Sequence, residues 1–176
     1  MSKDVDLYKI RQNVLCNHFM SEYKMKEMQD KKQNRYDKAY MKMAQAFAEL
    51  SYAERAKVGC VIVSPDGQII SQGYNGMPSG MDNCCEHEEC GKLVSNKEVL
   101  HAESNAITKC AKWGGRTDGA TIYVTLSPCI DCAKLIIQAG IKRVAYGEKY
   151  RNTEGIELLE NVGIKCECIS DGKEEK

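Results

Sequence analysis

Four side chains carry the sharpest chemistry in the sequence: His101 and Glu103 in His101-Ala102-Glu103, and Cys129 and Cys132 in Pro128-Cys129-Ile130-Asp131-Cys132. One imidazole and two thiolates supply the three protein ligands of a catalytic zinc, whose fourth tetrahedral position stays open to water or substrate. Glu103, standing beside the metal without binding it, would then carry protons between water and substrate. The alternative is a closed structural zinc with Glu103 as the fourth ligand, although Cys-rich structural sites more usually take another thiol. A lone C-x-x-C also marks thioredoxin-like redox centres, but the strand and βαβ setting of such a centre does not precede this one.

The spacing constrains the elements that must present these groups. Ser127 is a good N-cap and Pro128 a good first helical residue, which places Cys129 and Cys132 three residues apart on one face of a helix's first turns. The positive end of that helix, and a metal, both lower thiol pKa values. Residues two apart on a helix point away from each other, so His101 and Glu103 can face one site only if His101 stands at the start of its helix. A second cluster, Cys84, Cys85, His87 and Cys90, lies in a segment from about residue 74 to 98 that reads as irregular. Groups this dense could close a second, structural zinc that fixes a loop lacking a core. Adjacent Cys84 and Cys85 cannot easily both reach one tetrahedral ion, so His87 and Cys90 are the safest ligands; the other reading is a set of partly buried thiols. Cys60, Cys110, Cys166 and Cys168 have no partner spacing and read as core or surface thiols, and Cys16 and His18 look incidental.

Around these groups the chain reads as α/β. Residues 1 to about 35 form an extension rich in Lys, Met and Gln, with a weak helical recurrence at Leu7, Ile10 and Val14. A following helix places Tyr40, Met43, Phe47 and Leu50 on one face able to cover a sheet. Val58 to Val63 and Gln68 to Gly73 flank the turn Pro65-Asp66-Gly67 and make an antiparallel hairpin. A helix from His101 to near Gly114-Gly115 follows. Strands at 120–125, 142–147 and 164–169 then alternate with helices at 128–139 and 155–161, which predicts βαβ units on a central sheet. The catalytic domain is expected over 36–170, with a charged solvated tail at 171–176.

Composition narrows the function classes. A 43% hydrophobic and 28% charged chain of 176 residues is neither disordered nor fibrous. It is long enough to bury roughly 70% of its unfolded surface without cross-links. Twenty-five basic residues balance twenty-five acidic ones, and aromatics make up 7%, which counts against a nucleic-acid groove or an anionic membrane as partner. The longest apolar runs, such as Val61-Ile62-Val63 and Leu135-Ile136-Ile137, fall far short of the ~20 residues of a membrane span. The first residues, Met1 to Asp6, lack the apolar core of a secretory signal, so a cytoplasmic protein is expected and the ten cysteines read first as ligands or buried thiols.

His-x-Glu with Pro-Cys-x-x-Cys is the signature of zinc nucleobase deaminases. From about Lys38 to Ile169 the chain resembles the deoxycytidylate deaminases of the cytidine deaminase-like superfamily. The resemblance is carried by Val58-Gly59 with Val61-Ile62-Val63, Gly73-Tyr74-Asn75-Gly76-Met77-Pro78-Ser79-Gly80, His101-Ala102-Glu103-Ser104-Asn105-Ala106-Ile107, Thr121 to Cys129, Cys132-Ala133-Lys134, Ile137 to Lys142 and Tyr150. Tyr74-Asn75-Gly76 together with the residues after Glu103 points to the mononucleotide branch. The resemblance implies a three-layer sandwich: a five-stranded mixed sheet with helices on both faces. It implies hydrolysis of dCMP to dUMP and ammonia, with a zinc-activated water attacking C4 and Glu103 carrying protons to N3 and to the departing amine. It further implies Asn75 on the sugar hydroxyl, Ala102 at the substrate, Ser127 beside the metal and Tyr150 lining the pocket. Some relatives hold a second zinc in the loop that corresponds to the Cys84–Cys90 cluster. Family members are commonly homohexamers activated by dCTP and inhibited by dTTP, with Mg²⁺ accompanying the effector. The 5′-phosphate must meet donors, and Arg55 and Lys57, just before the first strand, are candidates. Deamination of dCTP, deoxycytidine or, less readily, a nucleic-acid base stays open as the alternative, and so does an inert zinc-binding module, against which Glu103 argues.

Overall fold

The computed structural model describes residues 3–169. Helix α1 runs from Lys3 to Ala48, a stretch of 46 residues without a single Gly or Pro to stop it. The two helical segments expected from the sequence are therefore one helix. By internal contacts the chain divides into a unit ending at Tyr36 and a unit beginning at Asp37. The tail at 171–176 lies outside the described residues.

Within the second unit, five strands form one sheet in the order β2-β1-β5-β6-β7. They are β1 (Gly59–Val63), β2 (Ile69–Tyr74), β5 (Thr121–Leu126), β6 (Arg143–Glu148) and β7 (Lys165–Cys168); β3 (Glu86–Glu89) and β4 (Lys92–Ser95) stand apart as a separate ribbon. Strand β1 pairs antiparallel with both β2 and β5, while β5, β6 and β7 are parallel. Helices α2 (Ala102–Lys112), α3 (Ile130–Gln138) and α4 (Glu154–Asn161) supply the crossovers. Strand β1 is buried along its whole length because both of its faces are covered. Cys60 and Ile62 join the core under α2, α3 and α4, and Val61 and Val63 join a second core with Met41 and Ala44 of α1, Tyr123 and Ala145. The result is the three-layer α/β architecture expected.

The stripe that α1 lays on the sheet differs from the expected one. Asp37, Met41, Ala44 and Ala48 are buried, Tyr40 and Phe47 flank them, and Met43 and Leu50 are exposed. The helix has turned by one residue because it approaches β1 closely at Gly59, where an added Cβ would collide with the Ala44 carbonyl oxygen. Only a small residue on the helix fits there. Asp37 anchors this segment: Arg143 grips its carboxylate with two nitrogens, at 2.8 and 2.7 Å, and the Tyr123 hydroxyl donates to it at 2.7 Å. Burial alone would lower the Arg143 pKa, but the carboxylates of Asp37 and Glu167 outweigh it and hold the guanidinium charged.

The segment read as irregular contains that separate ribbon, β3 (Glu86–Glu89) and β4 (Lys92–Ser95), paired antiparallel. Its two-residue turn, Cys90-Gly91, has positive φ at both positions, 51° and 74°, the geometry that matches strand twist in a tight hairpin. A Cys at the first position hid the turn, since Asn or Asp normally marks it.

Candidate active site

One edge of the sheet collects the functional groups. The antiparallel pairing of Cys60 with Val124 sets the start of β1 beside the end of β5, and the parallel pairing of Leu126 with Glu148 brings up the end of β6. Ligands in open α/β sheets bind outside such strand ends. His101 is the N-cap of α2, with φ −73° and ψ 157°, so Ala102 and Glu103 open the helix and both are buried. Placed before the helical turn, the imidazole can face the same site as the carboxyl two residues on.

Helix α3 begins later than its sequence suggests. Its N-cap is Cys129, not Ser127, and Cys132 is its third residue. The sheet claims Ser127 instead: its N–H donates to the Glu148 carbonyl at 2.8 Å, prolonging the β5–β6 ladder, and its hydroxyl accepts from the Tyr150 N–H at 2.8 Å. Cys129 and Cys132 still converge. The His101 Nδ1 lies 3.4 Å from each sulfur, and the three ligand atoms lie within 4.8 Å of one another. Tetrahedral zinc with ordinary Zn–S and Zn–N bonds needs N···S edges of about 3.5 Å, so the cluster fits the ion. Among the described residues this is the one cluster of at least three metal-ligating groups.

The electrostatics suit the same occupant. Cys129 is pulled down to about 4, first by a hydrogen bond from the Cys132 thiol and then by His101. Cys132 is pushed up, first by that same hydrogen bond and then by burial. Without a cation the pair thus holds one negative charge, and a divalent ion stabilises the second thiolate. Burial pushes Glu103 up to about 7, against the opposing pull of its own backbone N–H and of His101. In the metal-free site this carboxyl can take up and release a proton near neutral pH.

A cavity of about 380 Å³ opens at this cluster. Of the groups singled out from the sequence, His101, Ala102, Glu103, Ser127, Cys129, Asn75, Tyr150 and Arg55 line it. The Asn75 amide accepts from the Val58 N–H and donates to the Ala56 carbonyl, both at 2.8 Å, leaving one donor and one acceptor position for a ligand. Lys57 is exposed and does not line the cavity. Cys84, Cys85, His87 and Cys90 are not brought together as ligands. Strand β3 carries His87 to Asn96, whose Oδ1 lies 2.6 Å from its Nδ1, while Cys90 sits at the hairpin turn and Cys85 is buried. Cys84 is exposed, with its thiol directed at the Glu86 carbonyl. Sequence reasoning missed Glu86, Ser95, Asn96 and Lys97 in the lining. Only the hairpin brings them there, and its turn carries no ordinary signal.

A mixed five-stranded sheet with a His-Cys-Cys cluster and a buried carboxyl at one edge defines a domain of the cytidine deaminase class. The family described as the zinc-binding region of cytidine and deoxycytidylate deaminases matches residues 34–148, and the chain belongs to it. It is 42% identical to ComE operon protein 2 of Bacillus subtilis, covering 76% of this chain and 71% of that protein. It is 39% identical to the deoxycytidylate deaminase of Enterobacteria phage T4, over 62% of this chain and 77% of the phage protein. Among solved structures it resembles the dCMP deaminase of cyanophage S-TIM5 in complex with dCMP and dUMP, with 45% identity, a TM-score of 0.69, and coverage of 74% of this chain and 94% of that one. No described helix is long and apolar enough to cross a membrane.

Proposed function

We propose that this chain hydrolyses dCMP to dUMP and ammonia with a zinc ion held by His101, Cys129 and Cys132. The observation that carries the reading is the buried Glu103 carboxyl beside three ligand atoms spaced for zinc, at a nucleotide-sized cavity. The kinship with deoxycytidylate deaminases, one of them solved with dCMP and dUMP, supports the choice of substrate. Zinc bound there supplies Lewis-acid activation of a water. Glu103 would take a proton from that water as its oxygen bonds C4, deliver the proton to N3 of cytosine, and then move the proton of the new C4 hydroxyl to the exocyclic nitrogen as the C4–N bond breaks and ammonia leaves. Asn75 holds the sugar hydroxyl with its two remaining hydrogen-bonding positions. The N–H of Ala102, in the unpartnered first turn of α2, is free to meet the base. Tyr150, fixed by its N–H on Ser127, walls the cavity.

The resemblance of the sequence extends this reading to a cytoplasmic homohexamer activated by dCTP and inhibited by dTTP, with Mg²⁺ beside the effector, and supplying dUMP for dTMP synthesis. Chromatographic assay of purified, zinc-loaded protein tests both parts. The expected result is dUMP and ammonia in equal amounts from dCMP, with sigmoidal saturation that dCTP and Mg²⁺ make hyperbolic and dTTP suppresses. Absence of dCMP turnover overturns the reaction, and hyperbolic kinetics indifferent to both triphosphates overturn the control.

A further inference from the structure

Asn105 is the fourth residue of α2, counted from Ala102, at a place where Ala would serve the helix better. Its side chain reaches out of the helix: Nδ2 donates to the carbonyl of Tyr74, the last residue of β2, at 2.8 Å. Tyr74 and Gly76 flank Asn75 in the chain, and Gly76 is tied to the approach of the same helix. Its N–H donates to the Leu100 carbonyl at 3.1 Å, and its carbonyl accepts the Leu100 N–H at 2.9 Å. Leu100 immediately precedes His101, and the N–H of Asn105 itself donates to the His101 carbonyl at 2.9 Å. The turn that carries Asn75 is thus pinned at both shoulders to the segment that carries His101 and Glu103.

Each partner of this link is also anchored elsewhere. On the helix side, the buried Ser71 hydroxyl donates to the Ala106 carbonyl at 2.6 Å, and Gly73 leaves room for the Ala102 carbonyl oxygen, which an added Cβ would strike. On the turn side, the Asn75 N–H donates to the Val58 carbonyl at 3.0 Å, and its carbonyl accepts the Ser51 hydroxyl at 2.7 Å. The bond from Asn105 to Tyr74 therefore acts less on the seating of either partner than on the span between them.

We infer that Asn105 is a positioning residue that sets the span between Asn75 and Glu103, and with it the register of the cytosine ring against the His101-Cys129-Cys132 cluster. The inference rests on the reading of this chain as a dCMP deaminase. A nucleotide held by its sugar at Asn75 must bring N3 to Glu103 and C4 to the activated water at the same time. An error of about 1 Å in that span costs up to about 10²-fold in rate without removing a single ground-state contact.

The test compares kcat and KM for dCMP, calorimetric binding of dUMP and zinc content in wild type, Asn105→Ala, Asn105→Asp, Asn75→Ala and the double variant Asn75→Ala/Asn105→Ala. Asn105→Ala should lower kcat roughly tenfold, hold KM and dUMP affinity within about threefold, and keep one zinc per chain, because binding contacts survive while their alignment is lost. Asn105→Asp, of the same shape but without the donor, should do likewise. In the Asn75→Ala background the change at Asn105 should cost less than about twofold, since a span with no sugar contact at one end aligns nothing. A kcat for Asn105→Ala within about twofold of wild type, or a loss as large with Asn75→Ala as without it, overturns the inference. Parallel losses of kcat, dUMP affinity and zinc overturn it too, by making Asn105 a residue of the scaffold. A wild type that turns over no dCMP is a distinct result, which overturns the deaminase reading and this inference with it.

Discussion

At the scale of single residues, the proposed mechanism separates metal holding from proton transfer. Glu103→Gln keeps the size and burial of the side chain but cannot carry a proton, so turnover should fall by about 10²-fold or more. Zinc content should stay at one ion per chain, since His101, Cys129 and Cys132 are untouched. Metal analysis beside the rate checks both, and near-normal turnover would remove Glu103 from the mechanism. A pH effect follows in the metal-free protein. The Glu103 pKa is raised on folding, to about 7, so burial of the charged form opposes folding once the carboxyl ionises. Stability is therefore lost as pH rises from about 4.5 to about 7, by roughly 3 kcal/mol. Thermal melts of chelator-treated protein between pH 5 and 8 should show this fall in the native chain and its absence in Glu103→Gln. The His101, Cys129 and Cys132 cluster and the buried Glu103 beside it were legible in the sequence because metal geometry restricts which residue types and spacings work. Glu86 and Lys97 were not legible, since a lone buried acid and an exposed lysine look like many others until the hairpin places them.

Among the elements, the contact between α1 and β1 governs how the second core closes. Gly59→Ala puts a Cβ into the Ala44 carbonyl oxygen, a backbone atom that cannot step aside cheaply. The variant should lose about 2 kcal/mol or more, read as a lower urea midpoint. The strands β1, β2, β5, β6 and β7 were visible as short β-branched or alternating runs bounded by turn residues. The face of α1 was misread by one position, because Tyr40, Met43, Phe47 and Leu50 offer the more apolar stripe. Close packing prefers Met41 and Ala44, which let the helix come near. Helix α3 also started two residues late: the capping preference of Ser127 yielded to its place in the β5–β6 ladder.

For the molecule as a whole, one buried ion pair carries much of the cohesion between the first turns after Asp37 and the sheet. Asp37→Ala would leave Arg143, whose side chain is only 15% exposed, with a charge that Glu167, 33% exposed, alone must answer. The expected loss is about 3–5 kcal/mol, measurable by denaturant unfolding, and a loss below 1 kcal/mol would refute the assignment. Composition predicted none of this, because a balanced charge count says nothing of which charges are buried.

The antiparallel seam between β1 and β5 joins the hairpin half of the sheet to its parallel half. His101 stands at the start of α2, which rests on β2 and β1, whereas Cys129 and Cys132 follow β5. A zinc ion bound by all three would therefore act as a rivet across that seam, so that the two halves could not part without breaking a metal bond. Its largest effect should be on the lifetime of the folded state: chelation should speed unfolding in denaturant far more than it slows refolding, in which the ligands come together only as the seam closes. Stopped-flow rates that change equally in both directions would mean the metal grips a structure formed before the halves meet.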